Sequence, residues 1–185
     1  MIYMKEVYIV LTKSNSILSH VINLLSPSQY THASISFDSD LNEMYSMGRI
    51  YTFLAFPAHM KKEYLNKGFF RYYKQTKIGV YSIEVSDTSY NKMKNYVEKL
   101  YQHNSKLRYS TLGVLCCRLN IKLKRKNRMF CSEFVCNVLN QADENLINIC
   151  PELCYPVDFL TINGLKEQYI GNISHLLKMR NGTNQ

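Results

Sequence analysis

Two residues in this sequence, Cys131 and His32, are of the types that serve as a nucleophile and its base. Cys131 stands where Met129-Phe130-Cys131-Ser132-Glu133-Phe134-Val135 turns from a basic stretch into an apolar stripe at helical spacing (134, 135, 138, 139 and 142). Its thiol is therefore expected at the start of a helix, with Glu133 in the first turn, where an acid suits the helix dipole. A helix N-terminus and a neighbouring imidazolium both favour thiolate, which is the attacking form of cysteine. His32 lies on Thr31–Phe37, which alternates strictly: Ala33, Ile35 and Phe37 face one way, His32, Ser34 and Ser36 the other. The chemistry such a pair supports is acyl transfer through a thioester, with the imidazole moving the proton. Both residues also have a plain structural reading, as a thiol buried between Phe130 and Phe134 and as a histidine at the rim of a core. They stand 99 positions apart, so only the fold can bring them together.

The elements that must position them can be read from patterning. Lys5–Thr12 reads as a strand, and Asn15 or Ser16 caps a short helix with Ile17, Leu18, Val21, Ile22 and Leu25 on one face. Thr31–Phe37 and the returning Glu43–Tyr51, joined by the turn chemistry of Asp38–Asn42, read as a hairpin. Residues 57–77 are basic and aromatic without a clean period and read as a long connection with a helical turn. Ile78–Val85 alternates as a strand. Asp87 or Ser86 caps a helix to about His103, and Leu112–Cys117 reads as a buried helix. Beyond the Cys131 helix, Val157–Ile162 reads as a short helix, Gln168–Ser174 as a last strand, and the segment from Lys178 as a loose tail. Hairpins with segregated helices make an α+β domain. One domain over residues 1–177, with a flexible tail at 178–185, suits the length, and no repeat or linker divides the chain.

Composition narrows the functional classes. The 185 residues carry 23 Lys plus Arg against 14 Asp plus Glu, a net charge of +9, with 46% hydrophobic residues, ordinary for a folded domain. No apolar run approaches the ~18–20 residues that span a bilayer. The N-terminus, with Lys5-Glu6 ahead of a short apolar stretch, lacks a secretion signal, so a cytoplasmic location is expected and the six cysteines read as thiols rather than disulfides. No cofactor is indicated, since phosphate-cradling glycine loops are missing. Cys150 and Cys154 with Cys116 and Cys117 make a poor zinc set, one pair being adjacent and the other containing a proline. His20, His59, His103 and His175 have no cysteine or carboxylate at diagnostic spacing. The segment Arg118–Arg128 holds six basic residues among eleven; Lys122–Arg128 reads as a solvated loop or a site for an anionic ligand. It lacks interleaved aromatics for base stacking, which argues against nucleic acid.

Three segments together, Thr31-His32-Ala33-Ser34-Ile35, Met44-Tyr45-Ser46-Met47-Gly48-Arg49 and Phe130-Cys131-Ser132-Glu133-Phe134-Val135, resemble the circularly permuted papain-fold enzymes. These are relatives of NlpC-type cell-wall peptidases, grouped with YiiX/YaeF-like proteins and lecithin:retinol acyltransferase. The histidine precedes the cysteine, as the permutation requires, and Pro156-Val157-Asp158-Phe159-Leu160 resembles a downstream segment of the same group. The resemblance implies a permuted papain-like fold with Cys131 as nucleophile, its own N–H as oxyanion donor, and His32 as general base. It implies a third polar residue on the strand after the histidine, which falls on Ser46. Glu43 is the weaker choice, because alternation puts it on the other face. Tyr109 is the expected aromatic near the site, with Ser34 and Tyr30 as further substrate-binding candidates. The implied activity is a cysteine peptidase or amidase, or a transferase or thioesterase acting on lipid acyl groups. The alternatives are a silent papain-like binding domain, for which serine at position 46 is the motive, and a basic module for anionic polymers.

Overall fold

Along Met4–Thr12 (β1), Val7, Ile9 and Leu11 face one side and Tyr8 and Val10 the other, and all five are buried. A strand buried on both faces must be central, with a layer on each side. The computed structural model, which describes residues 3–13, 29–49 and 58–182, places it so. Five further strands complete the sheet: β2 (His32–Ser36), β3 (Met44–Arg49), β4 (Ala58–Glu63), β5 (Lys77–Ser86) and, after two short strands outside this sheet, β8 (Lys166–Asn172). Their order is β4-β3-β2-β1-β5-β8, antiparallel throughout.

On one face the sheet packs Val7, Ile9, Leu11, Ala33 and Ile35 against Met93 and Val97 of α2 (Asp87–Gln102) and Phe134, Val135, Val138 and Leu139 of α4 (Cys131–Leu139). On the other, Tyr8, Val10, Ile78 and Val80 meet Phe70 of α1 (Gly68–Tyr72) and Ile173 and Leu176 of α5 (Ile173–Gly182). The chain between α2 and α4 makes an excursion: β6 (Arg108–Tyr109), α3 (Thr111–Arg118) and β7 (Arg128–Met129), with β6 and β7 paired in parallel. The described residues form an α+β structure in which no helix is long and apolar enough to cross a membrane.

Two features of the sheet serve the site. The β2–β3 ladder is a single pair, Ile35↔Tyr45, whereas β3–β4 runs from Met44↔Glu63 to Arg49↔Ala58. Helix α4 packs against both β2 and β3 where they hold so loosely to each other. The register also sets Ser46 and Lys61 opposite one another, on the face that carries Glu63.

The segment 57–77, expected as a connection with a helical turn, contains the strand β4 as well as the short helix α1. The last strand begins two residues earlier than its pattern indicated, and Leu112, expected buried, is 49% exposed. The loose tail expected from Lys178 is helical through residue 182, because Ile173 and Leu176 bury against the sheet and Arg180 donates to the Ser39 and Asp40 carbonyls. The helix expected after Asn15, and the last two residues of the returning strand, lie outside the described residues.

Candidate active site

Helix α4 starts at Cys131 because Phe130 ahead of it is extended and the Glu133 carboxylate turns back to accept the Phe130 N–H at 3.1 Å. Its apolar stripe fixes the rotation of the helix: Phe134, Val135, Val138 and Leu139 are fully buried. The Ser132 hydroxyl donates to the Cys154 carbonyl at 2.6 Å and pins the first turn to the following segment. The Cys131 sulfur then lies where the His32 ring and the backbone N–H groups of Ala33 and Ser132 all favour its thiolate. Cys131 and His32, far apart in the chain, are brought close enough to shift each other's ionisation.

The ring is oriented by a residue the sequence did not single out. His32 Nε2 lies 3.1 Å from Oε2 of Glu63, the last residue of β4. A carboxylate only accepts, so Nε2 carries the proton and Nδ1 is left to face the sulfur. Glu63 is 8% exposed and its charge is supported from two further directions: Ser34 donates to Oε2 at 2.6 Å and Lys61 approaches Oε1 at 3.0 Å.

This polar set separates charge. Burial alone pushes the Glu63 carboxyl upward, but the Lys61 and His32 charges and the donors from His32 and Ser34 outweigh it and hold it well below its ordinary 4.5. Burial also opposes an imidazolium, yet Glu63 and the sulfur together raise the His32 pKa above 6.5. At Cys131 burial opposes the thiolate, while His32 and the two backbone N–H groups bring the thiol below its ordinary value. Cys117 shows what burial does without such partners: its thiol is pushed up to about 11. All three shifts favour the charge-separated form, thiolate beside imidazolium with Glu63 ionised behind.

Tyr109 reaches the same sulfur from β6. Burial together with the charge of Cys131 raises the phenol's pKa and keeps it protonated, able to donate toward the sulfur. The excursion 108–129 thereby brackets the site, because the β6–β7 pairing Tyr109↔Met129 sets Tyr109 beside the entry to α4.

The remaining expected residues lie elsewhere or act otherwise. Ser46, expected against the ring, is fully buried, and its hydroxyl has no partner among the described residues; Glu63 occupies that role one strand further on. Glu43 pairs with Lys62 at 2.8 Å, apart from the site. Ser34, expected to touch substrate, is committed to Glu63. Tyr30 is a core residue whose hydroxyl meets that of Tyr81 at 3.2 Å. Lys124, from the basic loop, adds positive potential at Glu133, next but one to the nucleophile. Among the described residues no three His, Cys, Asp or Glu side chains come together as a metal-binding group, and all six cysteines are free thiols.

The signal that could have found Glu63 is faint but real. It is the one acid on a segment, Ala58–Glu63, whose alternate residues Ala58 and Met60 are apolar enough for a strand. Compared with protein-family models, with curated proteins and with solved structures, the chain matches none of them.

Proposed function

We propose that the protein is a cysteine hydrolase or acyl-transfer enzyme that works through a thioester on Cys131. The observation that carries this reading is a thiol on the first residue of a helix, its thiolate favoured by an imidazole that is itself held by a buried carboxylate. The silent-domain alternative drew its motive from a serine at position 46, and with Glu63 on the ring that motive is gone.

In this mechanism the Cys131 thiolate adds to the carbonyl carbon of an amide or ester. The carbonyl electron pair moves to oxygen, and the oxyanion is met by the Cys131 N–H, one of the first-turn donors a helix leaves without an internal partner. The Tyr109 hydroxyl, released from the sulfur as that atom loses its charge, is the second donor. Collapse breaks the bond to the leaving group, which takes the proton from His32 Nδ1 and departs as amine or alcohol. The ring, now neutral, accepts a proton from water or from an acceptor amine or alcohol as that oxygen or nitrogen attacks the thioester. The thiolate and the imidazolium are restored. Glu63 stabilises the imidazolium at both stages and keeps Nδ1 directed at the reacting atoms.

The test is to expose the protein to cell extract and weigh the Cys131 peptide by mass spectrometry. The expected result is an acyl adduct on Cys131 that hydroxylamine removes, absent from Cys131→Ala. In parallel, iodoacetamide at neutral pH is expected to modify Cys131 ahead of the other thiols, more slowly in His32→Ala. Equal labelling of all accessible thiols with no adduct overturns the reading.

A further inference from the structure

The excursion between β6 and β7 carries an exposed surface that the chemistry at Cys131 does not use. Leu112, Leu115, Cys116 and Leu119 fall at helical spacing on one side of α3, and Leu112 and Leu119 are 49% and 67% exposed. The helix end holds this apolar edge outward. Asn120 takes φ +56°, and the Ile121 N–H closes onto the Cys116 carbonyl at 2.8 Å, so the chain reverses with Ile121 still 52% exposed. A second reversal follows at once, at Asn127 with φ +55°, and presents Lys124, Arg125 and Lys126 around a tight turn bridged at Arg125↔Arg128. Among the described residues none of these three cations has a carboxylate within ion-pair distance, although Lys124 feels the charges of Glu133 and Glu152 from further off.

We infer that this face docks the protein on an anionic phospholipid surface, with Leu119 and Ile121 entering the headgroup boundary and Lys124, Arg125 and Lys126 pairing with lipid phosphates and carboxylates. Apolar side chains fixed outward next to a cluster of unpaired cations are the combination an anionic bilayer complements. A polyanion such as RNA would use the cations but leave the apolar edge in water, and the loop offers no ring for a base to stack on. The surface belongs to the segment that joins Tyr109 to the Cys131 helix.

The sequence supplies its own reporter, because it contains no tryptophan. Leu119→Trp, made in the full chain, is expected to shift its emission to shorter wavelength with vesicles of equimolar phosphatidylcholine and phosphatidylserine, and not with phosphatidylcholine alone. Wild-type protein is expected to sediment with the anionic vesicles at low salt. Partitioning should fall roughly 100-fold when Lys124, Arg125 and Lys126 are all changed to Glu, each cation near such a surface contributing about fivefold or more. Leu119→Ser with Ile121→Ser, at exposed positions that leave folding intact, should lose sedimentation as well. Cys131→Ala should keep it, which separates this surface from the thioester chemistry. The inference is overturned if the reporter does not respond to anionic vesicles. It is equally overturned if RNA shifts the reporter to the same extent, or if concentrating the protein without lipid does so, which would assign the edge to a polyanion or to a second copy of the chain.

Discussion

Glu63 carries its charge inside the protein because Ser34, Lys61 and His32 converge on its two oxygens. Glu63→Gln keeps the shape and one acceptor for His32 Nε2 but removes the charge that raises the imidazole. The sign at each end then follows. The His32 pKa falls, the Cys131 pKa rises, and the pH range in which thiolate and imidazolium coexist narrows from both sides. Alkylation of Cys131 at pH 6 is expected to slow by about 10- to 100-fold. A pH profile of iodoacetamide labelling that does not move would remove Glu63 from the mechanism. Ser46→Ala is the matching control. Its hydroxyl is buried without a partner among the described residues, so its removal should leave labelling unchanged and raise stability by about 1 kcal/mol in urea unfolding. This pair of residues also marks how far the sequence alone reached. Cys131, His32 and Tyr109 could be named from helix-start chemistry, strand alternation and the family resemblance. The orienting group could not, because a serine on the adjacent strand and a glutamate one strand beyond share a face only once the β3–β4 register is known.

At the scale of elements, β4 escaped notice for the reason that makes it useful. Its Lys61 and Glu63 face the site, and its Met60 faces the core, so the charges that serve His32 erase the period-two signal and leave a segment that reads as a basic loop. By contrast β1, β5 and α2 serve packing alone and were legible nearly to the residue, down to the Ser86 cap, whose hydroxyl accepts the Ser89 N–H at 3.2 Å. Helix α4 lies between these cases. Its start was legible, yet burial pushes the pKa of Glu133, which holds that start in place, up to about 7 from 4.5. A carboxyl whose folded pKa is raised retains a proton that the unfolded chain has released. Stability from this residue therefore falls as pH rises from about 4.5 to 7 and stays low above that range. Glu133→Gln keeps an oxygen for the Phe130 N–H and cannot ionise. It should be more stable than wild type by about 2 kcal/mol at pH 8 and no more stable at pH 4, read by chemical denaturation at the two pH values. A variant less stable at pH 8 would mean that the anion is needed at the helix dipole.

Across the whole molecule, the Cys131–His32 pair links folding to pH in a way neither residue shows alone. Unfolded, the two hold a single proton between their ordinary values of 6.5 and 9.0, and it sits on the thiol. Folded, they again hold one proton over the range in which thiolate faces imidazolium, but it sits on the ring. Folding moves the proton from sulfur to nitrogen without taking one up or releasing one, so the pair contributes no slope to stability in that range. Below it, the lowered carboxyls of Glu63 and Glu144 supply the ordinary acid limb, their stabilisation present above about 4.5 and lost as pH falls. Cys131→Ala breaks the balance. Glu63 still holds the His32 pKa up, and no thiol remains to carry the unfolded chain's proton. The folded protein then keeps a proton that the unfolded chain loses above pH 6.5, and stability must decline as pH rises, by up to about 1.4 kcal/mol per unit until His32 itself titrates. Urea unfolding of wild type and Cys131→Ala at intervals from pH 6.5 to 9 reads this directly. The expected result is a variant curve that falls more steeply than the wild-type one, the decline that Glu133 contributes near pH 7 being common to both. Parallel curves would mean that the sulfur and the ring do not share a proton, and would take the charge-separated resting state away from the proposed chemistry.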